Sequence, residues 1–474
     1  MLFRFYSLLF VLKSKEKMNT QQGSKFYIFG ITLVATLGGL LFGYDTAVIS
    51  GAEKALQNYF QTSDFMHGVT SSSALIGCII GGAISGVLAS KFGRKRSLIF
   101  AGFMFFISAL GSGYPEFLFF HKGEASGALL FMFNLYRIIG GVGVGLASAI
   151  TPMYIAEIAP ADIRGKLVSW NQFAIIFGML VVYFVNYFIA VGQPIEWIYS
   201  DGWRWMFASE AIPAGIFAVL LFFVPETPRY LVLTDQHEKA FSVLTKIGGT
   251  VKATQILTDI KATAHETSGK VLSYGWKILI IGILLSVFQQ FVGINVVLYY
   301  APRIFESMGV GRDTSMLQTI VMGFVNIVFT LVAIFTVDKF GRKPLLIIGS
   351  IGMAIGMFAI SGLAYFEIIG VSTLVFIIIY TASFMMSWGP ICWVLISEIF
   401  PNTIRGKAVA IAVAAQWIAN FLVSSTFPSL NHFSSTFTYA LYGFMSVLSA
   451  IFVWKMVPET KGKTLEDMSK LWKK

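Results

Sequence analysis

Charge is scarce in this 474-residue chain: 12% of the residues are Asp, Glu, Lys or Arg, against 56% hydrophobic and 15% aromatic. A soluble domain carries about twice that charged fraction, and one globular core of this size could not hide so much apolar surface. An ordinary cytosolic enzyme and a disordered chain are excluded. Cysteine is nearly absent: Cys78 and Cys392 lie in apolar stretches of opposite halves. That excludes a secreted disulfide scaffold and leaves both as small buried side chains. Histidine is scarce too, and His67, His121, His237, His265 and His432 all fall outside the long apolar runs. Carboxylates are therefore left as the candidates for moving protons through a membrane. There is no G-x-x-x-x-G-K-[ST] phosphate loop, since Gly462-Lys463-Thr464 lacks the required glycine. The run Gly140-Gly-Val-Gly143-Val-Gly145 sits inside an apolar stretch with no strand before it, so close helix packing explains it better than a dinucleotide. ATP is not the motive source, which leaves an ion gradient or downhill flow. No nucleophile–base pair, metal cluster or cofactor motif stands in the apolar runs, so the chain reads as a non-enzyme without cofactors or metals.

What the chain does have is long apolar runs. Twelve reach the length of about 20 residues that crosses a bilayer, beginning near residues 27, 68, 97, 129, 167, 203, 276, 315, 344, 371, 408 and 437. The class is an all-α membrane protein. The basic excess, 35 Lys and Arg against 24 Asp and Glu, then orients the chain and does not mark nucleic-acid binding. Lys91, Arg94, Lys95 and Arg96 follow span 2; Arg164 and Lys166 follow span 4. Lys339, Arg342 and Lys343 follow span 8, and Arg405 and Lys407 follow span 10. The alternate loops have no such excess, which places both termini in the cytoplasm. Five segments follow: a tail over 1–26, six spans over 27–224, cytoplasmic helices over 225–275, six spans over 276–457, and a tail over 458–474. Leu2–Leu12 is too short to span and lacks a cleavage site; it reads as a loose tail or as a start misassigned upstream of Met18.

Three phrases occur twice in the same order. Lys91-Phe-Gly-Arg-Lys95 recurs as Lys339-Phe-Gly-Arg-Lys343, and Glu157…Arg164-Gly-Lys as Glu398…Arg405-Gly-Lys. Val224-Pro-Glu-Thr227 recurs as Val457-Pro-Glu-Thr460. Two six-span halves related by a parallel repeat are the architecture of a rocking transporter. The phrases supply candidate inner-gate charges: Arg94, Glu157, Arg164, Glu226 and Arg229 in the first half, and Arg342, Glu398, Arg405 and Glu459 in the second. Cross-half carboxylate–guanidinium pairs among them would latch the inner gate, although each is worth only about 0–1 kcal/mol near water. Simple anchoring of helix ends is the other reading.

Charges deep inside spans are costly and need partners. Three stand out, Asp45 in span 1, Arg137 in span 4 and Glu210 in span 6, all a few residues in from the outer ends. An Asp45–Arg137 pair that opens as the halves rock would let Asp45 take a proton; a permanent salt bridge is the alternative. Amides cluster as well: Gln172, Gln289, Gln290, Asn295, Asn326, Gln416 and Asn420, with Trp388, Trp393 and Trp417 in spans 10 and 11 and with Phe42 and Tyr299. Amides both donate and accept, which suits a ring of hydroxyls, and aromatic faces suit sugar C–H surfaces. Asn420, and to a lesser degree Asn326, also fits plain interhelical hydrogen bonding.

These residues resemble the sugar porter family of the major facilitator superfamily. The resemblance runs from about residue 18 onward and rests on Phe-Gly-Arg-Lys, Glu157…Arg164-Gly, Pro225-Glu-Thr-Pro-Arg229, Gln289-Gln-x-x-Gly-x-Asn295 and Pro458-Glu-Thr-Lys-Gly462. It implies the major facilitator fold in a bacterial inner membrane. It implies sugar contacts at Gln172, Gln289, Gln290, Asn295, Trp393 and Gln416, with Phe42, Tyr299 and Trp417 lining the cavity. It also implies proton coupling through Asp45 with Arg137 as partner, because facilitative glucose carriers of the family have asparagine at the Asp45 position. The expected partners are a monosaccharide, a proton and lipid, with the monomer as functional unit. D-xylose is the expected cargo; glucose, galactose or arabinose symport and facilitative hexose uniport are the alternatives. Met179 departs from the pattern, since xylose symporters of the family carry a glutamine there. A multidrug–proton antiporter shares the fold but leaves the Gln289-Gln290-Asn295 group and the paired Pro-Glu-Thr phrases without a purpose.

Overall fold

The computed structural model describes residues 24–461 apart from 118–119, 122, 124, 161–162, 264–270, 308 and 369, together with residue 472. The tail expected over 1–17, His265 and Gly462-Lys463-Thr464 lie outside the described residues. The described residues are all-helical in class, and among them twelve helices are long and apolar enough to cross a membrane. Spans 1 to 6 are Phe26–Phe60, Asp64–Phe92, Arg94–Gly113, Gly127–Ile158, Arg164–Ala190 and Ile195–Leu221. Spans 7 to 12 are Trp276–Tyr299, Arg312–Phe340, Arg342–Tyr365, Val371–Ile399, Ile404–Phe433 and Ser435–Met456. Phe103, Ile212, Val328 and Ile355 are exposed on the outside of the bundle, a surface that only lipid would solvate.

Serine caps at Ser24, Ser63, Ser126 and Ser434 start spans 1, 2, 4 and 12 ahead of their apolar runs. Ser63 Oγ accepts from the Met66 N–H at 3.4 Å and starts span 2 at Asp64. His67 therefore lies inside a span and is wholly buried, which corrects the expectation that all histidines lie outside the membrane runs. Between the halves run the short helices Pro228–Leu233, His237–Gly248 and Thr250–Thr263. The second buries Ala240, Val243, Leu244 and Ile247 along one face, the spacing of an amphipathic helix. The Ser24 N–H bonds the Lys246 carbonyl at 3.0 Å, tying the linker to the start of span 1.

Within the first half, span 1 packs on span 5 and span 2 on span 4; in the second half, span 9 packs on span 12. Spans 2 and 11, and spans 5 and 8, meet across the halves. The glycine run of span 4 is a packing surface, as its sequence suggested: a Cβ on Gly141 would overlap the Ala74 carbonyl. Three spans are broken. Span 6 interrupts its helix at Ser209–Glu210, span 7 at Val292–Gly293 and span 10 at Met386–Ser387. Broken helices at membrane depth leave backbone polar groups that only a protein-lined cavity can tolerate, and the candidate site lies at these breaks.

Candidate functional site

Asp45, Arg137 and Glu210 are 1%, 2% and 0% exposed. Arg137 Nη1 donates to Asp45 Oδ1 at 2.5 Å and Nη2 to the Asp45 carbonyl at 3.1 Å, so one guanidinium clamps both side chain and backbone of span 1. Its other face lies over the Phe207 ring at 5.2 Å. Glu210 lies within hydrogen-bonding reach of Asp45 at the break in span 6, and no N–H or hydroxyl donor reaches its buried carboxyl oxygens. Tyr44 and Ser209 share a 2.7 Å hydrogen bond that joins spans 1 and 6 beside it. Two acids and one base thus share a dry space, and a single proton makes that set neutral.

Span 1 carries Phe42 and Thr46 on either side of Asp45, and both line a cavity of about 600 Å³, its open mouth included. Gln172, Met179, Gln289, Gln290, Asn295 and Tyr299 line it further, as do Trp393, Gln416, Trp417 and Asn420. The break in span 7 brings the amides together. Asn295 follows Gln290 by five residues, which on a continuous helix points about 140° away. Gly293, at φ +90°, turns the chain back, and a Cβ there would strike the Tyr442 ring. Asn295 Nδ2 then donates to Gln290 Oε1 at 2.5 Å. Gln290 Nε2 reaches Gln289 Oε1 at 3.4 Å, and Gln289 Nε2 donates to the Trp388 carbonyl at 3.0 Å, just after the break in span 10. Facing this chain, Gln416 Oε1 and Trp417 Nε1 are buried without a partner. The Phe42 and Trp417 rings stand 5.7 Å apart beside them. The cavity therefore offers an unpaired acceptor, an unpaired donor and aromatic faces, the complement of a small polyhydroxylated ring.

The family described as "Sugar (and other) transporter" matches residues 31–472. The D-xylose-proton symporter of Escherichia coli is 54% identical, with 96% of this chain and 97% of that protein covered. The arabinose-proton symporter of Bacillus subtilis is 39% identical over 96% and 97%. A solved inward-open conformation of the xylose transporter XylE from E. coli superposes with a TM-score of 0.85 at 53% identity, covering 94% of this chain and all of that one. The chain belongs to the sugar transporter family. It is a multi-pass membrane protein of the major facilitator superfamily, a transporter and not an enzyme.

In this sugar transporter the structure brings together every sequence-derived cavity residue except Asn326, which is buried in span 8 away from the cavity. Trp388 is likewise structural, its Nε1 donating to Ser350 Oγ at 2.8 Å. Asn420, read from the sequence as an interhelical amide, lines the cavity instead. Its signal was its place one helical turn after Gln416, on the same face. Sequence reasoning also missed Glu53, a second buried carboxylate of span 1, because it lies near the polar end of the apolar run.

The repeated phrases build two copies of one device. Arg94 Nη2 meets Glu157 Oε1 at 2.8 Å, and Thr227 Oγ1 donates to Glu157 Oε2 at 2.6 Å. The Glu226 carboxylate accepts the N–H groups of Arg94 and Lys95, each at 3.1 Å, capping span 3. In the second half Arg342 meets Glu398 at 2.9 Å and Thr460 donates to Glu398 at 2.6 Å. Glu459 there accepts the N–H groups of Arg342 and Lys343 at 3.1 and 2.9 Å. An acid on a helix N-terminus answers its dipole and its unpaired donors. Gly93 and Gly341 precede these helices at φ +95° and +92°, and a Cβ on either would collide with the capping glutamate. Arg405 Nε bonds the Phe400 carbonyl at 3.2 Å, while Arg164 and Arg229 are exposed. The expected cross-half latch is corrected: these pairs join neighbouring spans inside one half, because Glu157 and Glu398 face the starts of spans 3 and 9.

Contacts between the halves lie at the opposite end. Arg303 Nη1 reaches Glu53 Oε2 at 3.1 Å and Gln57 Oε1 at 3.0 Å, and Lys54 pairs with Glu306. Arg312 Nη2 donates to the Gln193 carbonyl at 3.0 Å.

Proposed function

We propose that the protein is a proton-coupled sugar symporter that takes up D-xylose by alternating access. The observation that carries this is the adjacency of two sites on span 1: the Asp45–Arg137–Glu210 set, which one proton neutralises, and the cavity with unpaired Gln416 and Trp417 groups. The 54% identical E. coli relative is a D-xylose-proton symporter, and the amides that would read hydroxyls are those of the cavity described above. A proton on Asp45 loosens the Arg137 clamp and frees span 1 to move against span 4. Sugar held between amides of spans 5, 7 and 11 then draws the halves together. A potential of about 100 mV supplies about 2.3 kcal/mol per charge, enough for roughly fortyfold accumulation.

In this reading both termini are cytoplasmic, the basic phrases facing inward, and the chain works as a monomer in a bacterial inner membrane. Residues 27–224 and 276–457 are the two rocking halves, and 225–275 is the cytoplasmic linker. The end bearing Glu53 and Arg303 is then the outer gate, closed here. Met179 favours a second reading of the cargo. It puts a thioether on the cavity wall beside Ile175 and Ile176, which suits glucose or another hexose better than an added amide would.

The test is uptake of labelled xylose and glucose into proteoliposomes, with and without an inward proton gradient, by wild type and Asp45→Asn. Gradient-driven accumulation that the variant loses while it retains exchange supports symport and identifies the sugar. Downhill uptake indifferent to pH and to the substitution makes the protein a uniporter.

A further inference from the structure

Glu53 and His67 take no part in the mechanism above, yet they are 1% and 0% exposed. His67 Nε2 lies 2.8 Å from Glu53 Oε2, and His67 Nδ1 is buried without a partner. Glu53 belongs to span 1 and His67 to span 2, so both move with the first half. Arg303, the guanidinium 3.1 Å from the same Glu53 oxygen, follows span 7 and moves with the second half. We propose that Glu53 and His67 form a second proton site, at the outer gate, loaded when that gate opens. The proposal rests on the orientation and alternating access argued above.

With the gate closed, Arg303 supplies the positive charge that the buried carboxylate needs. Opening takes Arg303 away with its half and leaves Glu53 beside His67. A buried carboxylate stripped of its cation is costly, and imidazole is the neighbour able to become charged near neutral pH. One proton enters from the outer solution, binds His67 and makes an ion pair with Glu53. Closing returns Arg303 and sends the proton back to the same side. This proton is not transported; it sets how often the outer gate stands open. Acid outside therefore favours the state that loads sugar, in addition to driving transport through Asp45.

The other charged and titratable groups around His67 do not substitute for it. Lys54 follows Glu53 by one residue, so it points about 100° away around the helix, and its partner Glu306 leaves with the second half just as Arg303 does. On the histidine's own span, Asp64 pairs at 3.2 Å with His432 of span 11, which is 82% exposed. Tyr300 stands edge-on to the imidazole at 6.3 Å and bonds the Ser424 carbonyl at 3.3 Å. Gly68, next to His67, packs so closely on span 11 that a Cβ would overlap the Ser425 carbonyl. The imidazole thus sits where the halves separate.

Spin labels at Gln61→Cys and Phe433→Cys, exposed at the outer ends of opposite halves, report the gate by pulsed electron resonance in lipid nanodiscs. Cys78 and Cys392 are buried and stay in place. The background is Asp45→Asn, which removes the Asp45 proton, and His67→Gln within it separates the outer-gate response from one contributed by Glu210. Lowering pH from about 8 to about 5.5 should raise the open-to-closed ratio about tenfold, the effect of a proton affinity differing by one pK unit between states. His67→Gln should flatten the response. Glu53→Gln, which keeps the imidazole, should flatten it too, while Arg303→Gln should favour the long distance at every pH. His432→Gln should leave the pH response in place. A flat response in the background protein overturns the proposal, as does one that survives His67→Gln or disappears with His432→Gln.

Discussion

In the first half Arg94 meets Glu157 at 2.8 Å while Glu226 caps span 3; in the second Arg342 meets Glu398 at 2.9 Å while Glu459 caps span 9. Away from that end the halves differ completely. The first half buries Asp45, Glu53, His67, Glu116, Arg137, Arg204 and Glu210, whereas no charged or histidine side chain is buried among the described residues of the second. The second instead contributes Gln289, Gln290, Asn295, Gln416 and Asn420 to the cavity. The acid answers the dipole and the unpaired donors where spans 3 and 9 begin, and both copies keep it. The interior carries no such constraint, and the halves have divided it: buried charge in one, most of the cavity amides in the other.

Removing a charge inside each half breaks that comparison most sharply. Arg137→Gln leaves Asp45 and Glu210 buried together without a cation, and we expect a loss of about 3–5 kcal/mol, read as a large drop in the thermal midpoint in detergent. Arg342→Gln, at the half-buried gate, should cost no more than about 1 kcal/mol. Equal losses would mean that the two halves do not differ in how they hold charge.

Gln290→Ala sharpens the division from the other side. It unties Asn295 and removes one amide from the cavity, and by the scale of a buried hydrogen bond we expect sugar affinity to fall by about 1–3 kcal/mol, measured by calorimetry. The pH dependence of the remaining transport should be unchanged. A shifted pH profile would place part of the proton chemistry in the second half.

Much of this division was legible in the sequence. Spans, repeat and amide cluster are visible because apolar length, phrase order and residue type are local properties. Asp45, Arg137 and Glu210 are visible because each interrupts an apolar run. Glu53 and His67 are not, since they stand near polar span ends where a charge looks solvated; only the packing of the folded bundle buries them. The gate phrases were read for their charges but misassigned across the halves, because sequence order does not say which neighbour Glu157 faces. Gly293 as the turn that sets Asn295 beside Gln290 required the backbone itself.

The two caps should also answer pH in opposite directions. Burial holds the Glu226 carboxyl above its ordinary range, against the N–H groups of Thr227, Lys95 and Arg94. Its contribution is full below the ordinary carboxylate value and declines as pH rises through the raised one. Burial also pulls Glu459 upward, but the N–H groups of Lys461, Arg342, Lys343 and Thr460 outweigh it and hold the carboxyl low. Its contribution is full above the ordinary value and declines as pH falls through the lowered one. Hydrogen exchange at the starts of spans 3 and 9, corrected for intrinsic rates, should show span 3 gaining protection on acidification and span 9 losing it. Parallel responses would reject the difference between the caps.

The smallest effect should come from Asn326, the amide that composition alone would have counted with the sugar site. It is 1% exposed in span 8, does not line the cavity, and its Oδ1 is buried without a hydrogen-bond partner. An unsatisfied buried polar atom costs stability, and an apolar group of similar volume removes the cost. Asn326→Leu should therefore leave sugar affinity within about twofold and leave the thermal midpoint unchanged or slightly higher, the gain limited to about 1 kcal/mol. If the substitution instead weakened sugar binding as much as Gln290→Ala does, Asn326 would have to swing into the cavity during the rocking cycle. Hydroxyl recognition would then extend into span 8, beyond the residues that line the cavity in this conformation.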